Sequence, residues 1–160
     1  MIEIKLNLDE IGKSRLMEAQ AEIGIAEKFL NDGLLRNAAS KAFQAWKSYL
    51  SYLAIRNRDL FNFPGYKRVG RNVRVSKNDW VLAVMPTNML MEIASKLAER
   101  STDIVELTSL ALVIHEYQYN RPDPTGVISK ITSDDVARQV IAKFIARAKE
   151  LITQARENRN

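Results

Sequence analysis

Apolar residues recur at helical spacing over long stretches of this chain and at alternating spacing over one short one. Ile2, Ile4 and Leu6 alternate with Glu3, Lys5 and Asn7, which predicts an extended N-terminal arm over residues 1–8. A single strand cannot stand alone, so the arm must pack on helices or pair with another strand. Ile11, Leu16, Ala19, Ile23, Ala26, Phe29 and Leu30 then predict a helix from Asp9 to Asn31, capped by Asn7 or Asp9. Asn31-Asp32-Gly33 stops it, with Gly33 able to take the left-handed conformation. A second helix is predicted from Leu34 to Arg58 on the stripe Leu35, Ala38, Ala39, Ala42, Phe43, Trp46, Leu50, Leu53 and Ala54. So short a connection predicts an antiparallel helical hairpin.

The pattern breaks over residues 59–80, where Pro64-Gly65 signals a turn. This stretch reads as a long loop, with Val69, Val73 and Val75 making at most a short extended piece. A helical turn is expected at Trp80–Val84. Pro86-Thr87 then opens a helix through Arg100 carrying Met89, Leu90, Ile93, Ala94 and Leu97. Ser101 or Thr102 is expected to cap the next helix, from Asp103 to Tyr119, which is apolar nearly all round from Leu107 to Ile114. A helix of that kind is expected at the centre of a fold. Asn120-Arg121-Pro122-Asp123-Pro124 ends it. Ser133 caps a last helix that runs to Arg156, and the tail ENRN is expected to fray.

Five principal helices with short connections predict an all-α fold: a single bundle, mostly antiparallel, with residues 1–160 forming one helical domain. A chain of 160 residues, 46% hydrophobic, can bury one sizeable core. No run of about 18 apolar residues is present, so no membrane span is expected. The first residues lack an apolar signal core, so secretion is not expected either. Cysteine is absent, which excludes disulfides and thiolate metal sites and suits a reducing cytoplasm, the expected location. A single histidine leaves zinc only carboxylates as further ligands, so neither a metal nor any other cofactor is expected.

Charge adds one feature. The net charge is +5, yet residues 34–80 hold ten basic and two acidic residues. Lys67, Arg68, Arg71, Arg74 and Lys77 fall within eleven residues, beside Tyr66 and Trp80. Cations with interleaved aromatics suit a polyanion such as RNA, whose phosphates pair with the cations while bases stack on the rings. The same residues also suit a solvated surface excursion.

The remaining candidates cluster on two helices. His115 titrates near neutrality and can act as an acid or base, and Tyr119, four residues on, shares its helix face. Both also suit the polar end of a core helix. Arg121 is a candidate anion contact on a rigid helix stop. Lys47, between Trp46 and Tyr49, is a candidate ligand contact whose stem can lie along apolar neighbours. No HExxH, GxSxG or P-loop pattern is present.

Three stretches carry a resemblance: NAASKAFQAWKSYLSYLAI (Asn37–Ile55), LALVIHEYQYNRPDP (Leu110–Pro124) and SDDVARQVIAKFIARAKELI after it. Together they resemble the archaeal PaREP1-type helical proteins and, more widely, the HEPN superfamily of helical bundles. The resemblance covers most of residues 15–155 and implies a HEPN-like all-α bundle, often a homodimer, of archaeal origin. The wider superfamily includes ribonucleases marked by Arg, four to six residues, then His. Here the nearest arginine upstream of His115 is Arg100, with fourteen residues between, and Arg121 follows instead. The resemblance also implies partners of the nucleotidyltransferase-like kind for some relatives.

Two readings follow. The first is a non-catalytic, homodimeric interaction module that contacts a protein partner, and RNA or a nucleotide through the basic loop. The second is a divergent RNA- or nucleotide-processing enzyme that uses His115 and Tyr119 with arginines of the basic loop. It requires those groups to converge in one cleft.

Overall fold

The stripe of small and aromatic residues on the second predicted helix decides the architecture. In the computed structural model, which describes residues 1–158, this helix is α2 (Leu35–Arg56), and it lies at the centre. Around it pack α1 (Leu8–Asn31), α3 (Lys77–Val84), α4 (Leu90–Leu97), α5 (Ile104–Asn120) and α6 (Asp134–Glu157). Ala38, Ala39, Ala42, Ala45 and Ala54 are wholly buried, so neighbouring backbones approach α2 closely from several sides. Trp46 fills the space beside them, edge-on to Phe144 of α6 at 5.6 Å. Its indole N–H donates to Thr108 Oγ1 of α5 at 2.9 Å, so the one polar atom of that ring is satisfied inside the core.

Helix α1 runs antiparallel along α2 through the expected tight connection. Gly33, at φ 75°, ends α1 while its N–H donates to the Leu30 carbonyl and that of Leu34 to the Phe29 carbonyl. This is the Schellman arrangement, which closes the last carbonyls of a helix. Asn7, rather than Asp9, caps α1, its side-chain oxygen accepting from the Glu10 N–H. Ser133 caps α6 as expected, accepting from the Val136 N–H.

Several sequence expectations are corrected. Six α-helices are present among the described residues, because the turn expected at residues 80–84 is the two-turn helix α3. The helix expected from residue 86 to 100 is a 3₁₀ turn, Thr87–Met89, followed by the shorter α4. Neither Ser101 nor Thr102 caps α5. Asp103 takes the cap position in the left-handed region, at φ 64°, and its carboxylate pairs with Arg147 of α6 at 2.7 Å. Helix α5 is not the centre of the bundle. Leu110, Leu112 and Val113 are only half-buried, and α2 holds the position expected of it. The fraying expected of the tail falls, at residues 159 and 160, outside the described residues, and α6 continues to Glu157.

The largest correction concerns the basic stretch, which is no loop. Residues Tyr66–Gly70 (β2) and Val73–Ser76 (β3) form an antiparallel hairpin. Ile2–Glu3 of the arm (β1) adds in parallel to β3, giving a three-stranded sheet in the order β1-β3-β2. The arm therefore pairs within its own chain, and the sheet packs on α3. The described chain is a mainly helical bundle with this small sheet at one side, and no described helix is long and apolar enough to cross a membrane.

The Trp46–Thr108 bond supplies a direct test. Thr108→Val keeps the side-chain shape but leaves the indole N–H unsatisfied in the core, which costs about 1–3 kcal/mol. Chemical denaturation should show that loss for Thr108→Val and little of it for Thr108→Ser. Equal stability of Thr108→Val and wild type would show that the bond does not matter to the fold.

Candidate functional site

The hairpin arises from local turn chemistry. Gly70, Arg71, Asn72 and Val73 close it, with Asn72 at φ 64°, a conformation asparagine tolerates better than most residues. A bulge lies between Arg68 and Gly70. The strand register then sorts the side chains. Tyr66 opposes Ser76, Arg68 opposes Arg74, and Glu3 of β1 lies beside Arg74, so these residues share one exposed face. Lys67 opposes Val75, and Val73 lies beside Ile2, so these share the other face, turned toward α3.

On the exposed face Arg74 is fixed. Its guanidinium lies over the Tyr66 ring at 3.8 Å and pairs with Glu3 at 3.5 Å. Its Nε is buried with no hydrogen-bond partner among the described residues. Arg68, directly opposite, donates its Nε–H to the Gly70 carbonyl. Two arginines directly opposed across a strand pair repel one another. On the inner face the Lys67 amine lies over the Trp80 ring at 4.5 Å. Arg71 is exposed in the turn and Lys77 at the start of α3. The structure therefore brings the five cations together on one hairpin and its following turn of helix. It also lays a cation from the same hairpin over one face each of Tyr66 and Trp80.

His115 and Tyr119 share a helix face as expected, with ring centroids 5.0 Å apart and planes at 84°. The imidazole stacks on Phe43 of α2 at 4.0 Å, and its Nδ1 is buried with no hydrogen-bond partner among the described residues. Burial lowers its pKa from the ordinary value; the Gln118 side chain works against this, and the Lys47 charge works with it. Lys47 also approaches Phe43, its amine 5.9 Å from the ring centroid, with no carboxylate partner among the described residues. The enzyme reading needs His115 and the hairpin arginines in one cleft. They are not assembled that way: the hairpin packs on α3, whereas His115 lies between α5 and α2.

The stop after α5 is rigid. Arg121 adopts φ 61° and ψ −176°, a region almost reserved for glycine, directly before Pro122. The Asp123 carboxylate accepts from the N–H groups of Thr125, Val127 and Ile128 and from the Thr125 hydroxyl. These bonds, that of the Thr125 hydroxyl foremost, hold its pKa down at about 2. Arg121 itself is exposed. Tyr117, which sequence reasoning left unused, is buried and donates to Asp134 at the start of α6 at 2.9 Å. The i, i+3 relation of Tyr117 to the proline-rich stop was the available signal that it ties the helix end down.

Together these features define a class of protein, a helical bundle built around one small-residue helix and carrying a cationic β-hairpin at its side. The chain belongs to the archaeal PaREP1/PaREP8 family, whose family model matches residues 14–142. That match runs from within α1 to the first part of α6 and includes the whole hairpin. None of the curated proteins and none of the solved structures compared matches the chain.

The lone histidine gives a clean spectroscopic test. The folded-state pKa of His115 is depressed, so its contribution to stability is complete above the unfolded-state value of about 6.5 and is lost as pH falls below it. Imidazole resonances followed against pH should titrate below that value in the folded chain. A midpoint at or above it would contradict the depression.

Proposed function

We propose that this protein is a non-catalytic interaction module of HEPN-like kind that self-associates and holds RNA by its phosphate backbone on the exposed face of the hairpin. The observation that carries this reading is the direct opposition of Arg68 and Arg74 across β2 and β3. Like charges so placed destabilise a strand pair, and an anion between them relieves the cost. Among the described residues Glu3 is the one carboxylate paired to Arg74, and Arg71 and Lys77 extend the positive surface on either side. Phosphate contact of this kind is indifferent to base identity and strongly salt-dependent.

The test must spare Arg74, which also holds Glu3 and Tyr66. Replacing Arg68, Arg71 and Lys77 together by alanine leaves the core untouched. Fluorescence titration of a labelled single-stranded RNA at low salt should show binding by the wild type. Removing three phosphate contacts should flatten the log–log salt dependence by about 2, from a slope of roughly 0.7 per contact on a single strand. No binding by the wild type at tens of micromolar RNA, or identical binding by the variant, would remove RNA from the reading.

Self-association is supported by the other face of the sheet. Helix α3 covers Val75, which is buried, but Ile2, Ile4 and Val69 remain 60%, 43% and 45% exposed. An apolar sheet face left half-covered suits a second copy packed on it across a twofold axis, and that arrangement turns both cationic faces outward. Light scattering at micromolar concentration should give twice 18.2 kDa, and Ile2→Lys with Val69→Lys should return the mass to one chain. A wild type that scatters as a single chain would rule the dimer out.

A further inference from the structure

Helices α2 and α6 end side by side, and their last turns leave a cleft between them. Tyr49, Tyr52, Leu53 and Arg56 recur at helical spacing on one face of α2, and Leu151 and Ala155 do the same on α6. The cleft holds about 250 Å³, the space of roughly eight water molecules at about 30 Å³ each. That falls below the range of about 300–1,000 Å³ that takes drug-sized ligands, so it suits a smaller molecule. Leu53, Leu151 and Ala155 are half-buried and give it apolar walls.

Three polar groups at this cleft have no partner inside the fold. Tyr49 and Tyr52 are only 5% and 6% exposed, their rings stacked at 6.3 Å, yet neither hydroxyl has a hydrogen-bond partner among the described residues. Neither hydroxyl is sealed from solvent, since the sealed, partnerless side-chain atoms among the described residues belong to Glu22, Arg74 and His115. Each is the open end of an otherwise buried ring, and both rings line the cleft. Burial, and after it the neighbouring Tyr52, push the Tyr49 hydroxyl up to about 12 against the Arg147 charge, so it stays a donor at ordinary pH. Arg56 is exposed, makes no ion pair or hydrogen bond among the described residues, and lies over the Tyr52 ring at 5.7 Å.

Arg56 is the one charged residue of the lining, which includes no carboxylate among the described residues. Arg147, whose charge reaches Tyr49, is closed on Asp103 and Glu150 at 2.7 Å each. Tyr52 and Arg56 also border the wider cleft beside the start of α1, but there Asp9 is paired with Arg58 at 3.0 Å and Asp59 with Arg100 at 2.6 Å. No carboxylate on either side is left for Arg56. A basic residue in the last turn of a helix complements the helix dipole wherever it stands; two open phenols beside it are not explained that way.

We infer that this cleft binds a small monocarboxylate with an apolar body, its carboxylate on the Arg56 guanidinium and the two tyrosine hydroxyls and its body against Leu53, Leu151 and Ala155. Guanidinium and phenol groups offer donors that the acceptor-only oxygens of a carboxylate match. Both helices turn their negative dipole ends to this side of the bundle, which disfavours a more highly charged phosphate. The site is independent of the hairpin.

The experiment is a titration of isotope-labelled wild-type protein with benzoate, with benzyl alcohol as its uncharged counterpart, and with sodium chloride and inorganic phosphate at matched ionic strength, followed by backbone amide shifts. Benzoate should give saturable shifts confined to residues 49–56 and 151–158, benzyl alcohol the same with at least tenfold weaker affinity, and chloride and phosphate none. Arg56→Gln, at an exposed position outside the core, should weaken benzoate at least tenfold. Tyr49→Phe and Tyr52→Phe should each weaken it severalfold while leaving the melting temperature unchanged, because neither hydroxyl is bonded within the fold. The hairpin variant lacking Arg68, Arg71 and Lys77 should bind benzoate as the wild type does. No saturable shift up to tens of millimolar, shifts elsewhere on the surface, equal affinity for benzyl alcohol, or full binding by Arg56→Gln would each overturn the assignment. A marked fall in melting temperature for both tyrosine variants would overturn it as well, since the hydroxyls would then be bonded within the fold.

Discussion

Everything in this fold depends on α2 being thin enough to be surrounded. Helices pack at axis separations of about 8–10 Å, and the lower end is open only where side chains at the contact are small. The five wholly buried alanines of α2 allow that approach from more than one side, and Trp46 and Phe43 occupy the gaps left between neighbours. A larger residue at any of these alanines would overpack a core that has no slack there. The price of centrality is that any polar atom on α2 must find its partner inside the bundle. The indole N–H of Trp46 finds Thr108, and the hydroxyl of Ser51 finds the end of α3. These two bonds tie the rotation of α2 to α5 and α3.

The long helices were legible because period and punctuation agreed. Gly33 after a helical stripe and Ser133 before another mark boundaries by local backbone chemistry, which a sequence displays directly. Centrality was not legible for the opposite reason. The apolar count favours α5, whose Leu110, Leu112 and Val113 stay half-buried, over α2, whose alanines register weakly on any hydrophobicity scale. What places a helix at the centre is how closely others approach it, and that depends on the absence of side-chain bulk. His115 shows a related gap. Its face-sharing with Tyr119 followed from spacing, but the stacking on Phe43 belongs to a different helix and had no local trace.

The hairpin was missed although its turn was in plain view. Gly70 and Asn72 flank an arginine at the tip, and Asn72 takes the positive φ that tight turns require. Two features hid it. The alternation of Val69, Val73 and Val75 is broken by a bulge, and the third strand is supplied by the arm at residues 2 and 3, far away in the chain. Short strands gain stability from neighbours that local pattern cannot name. The cations have a second use in this setting, since charged residues on an edge strand discourage unwanted pairing. That use accounts for Lys67, which also shields Trp80, but not for an arginine opposed to another arginine in the interior of the strand pair. Edge protection needs one charge, and the opposed pair goes beyond it.

Lys47 meets His115 at one aromatic ring. Its amine lies on one side of Phe43, and the His115 ring is stacked against the same phenylalanine. The positive field of Lys47 is one of the influences that keep the imidazole neutral, and burial is the larger one. A residue that looks catalytic in the sequence therefore has its protonated form disfavoured by the packing around it, and by burial more than by charge.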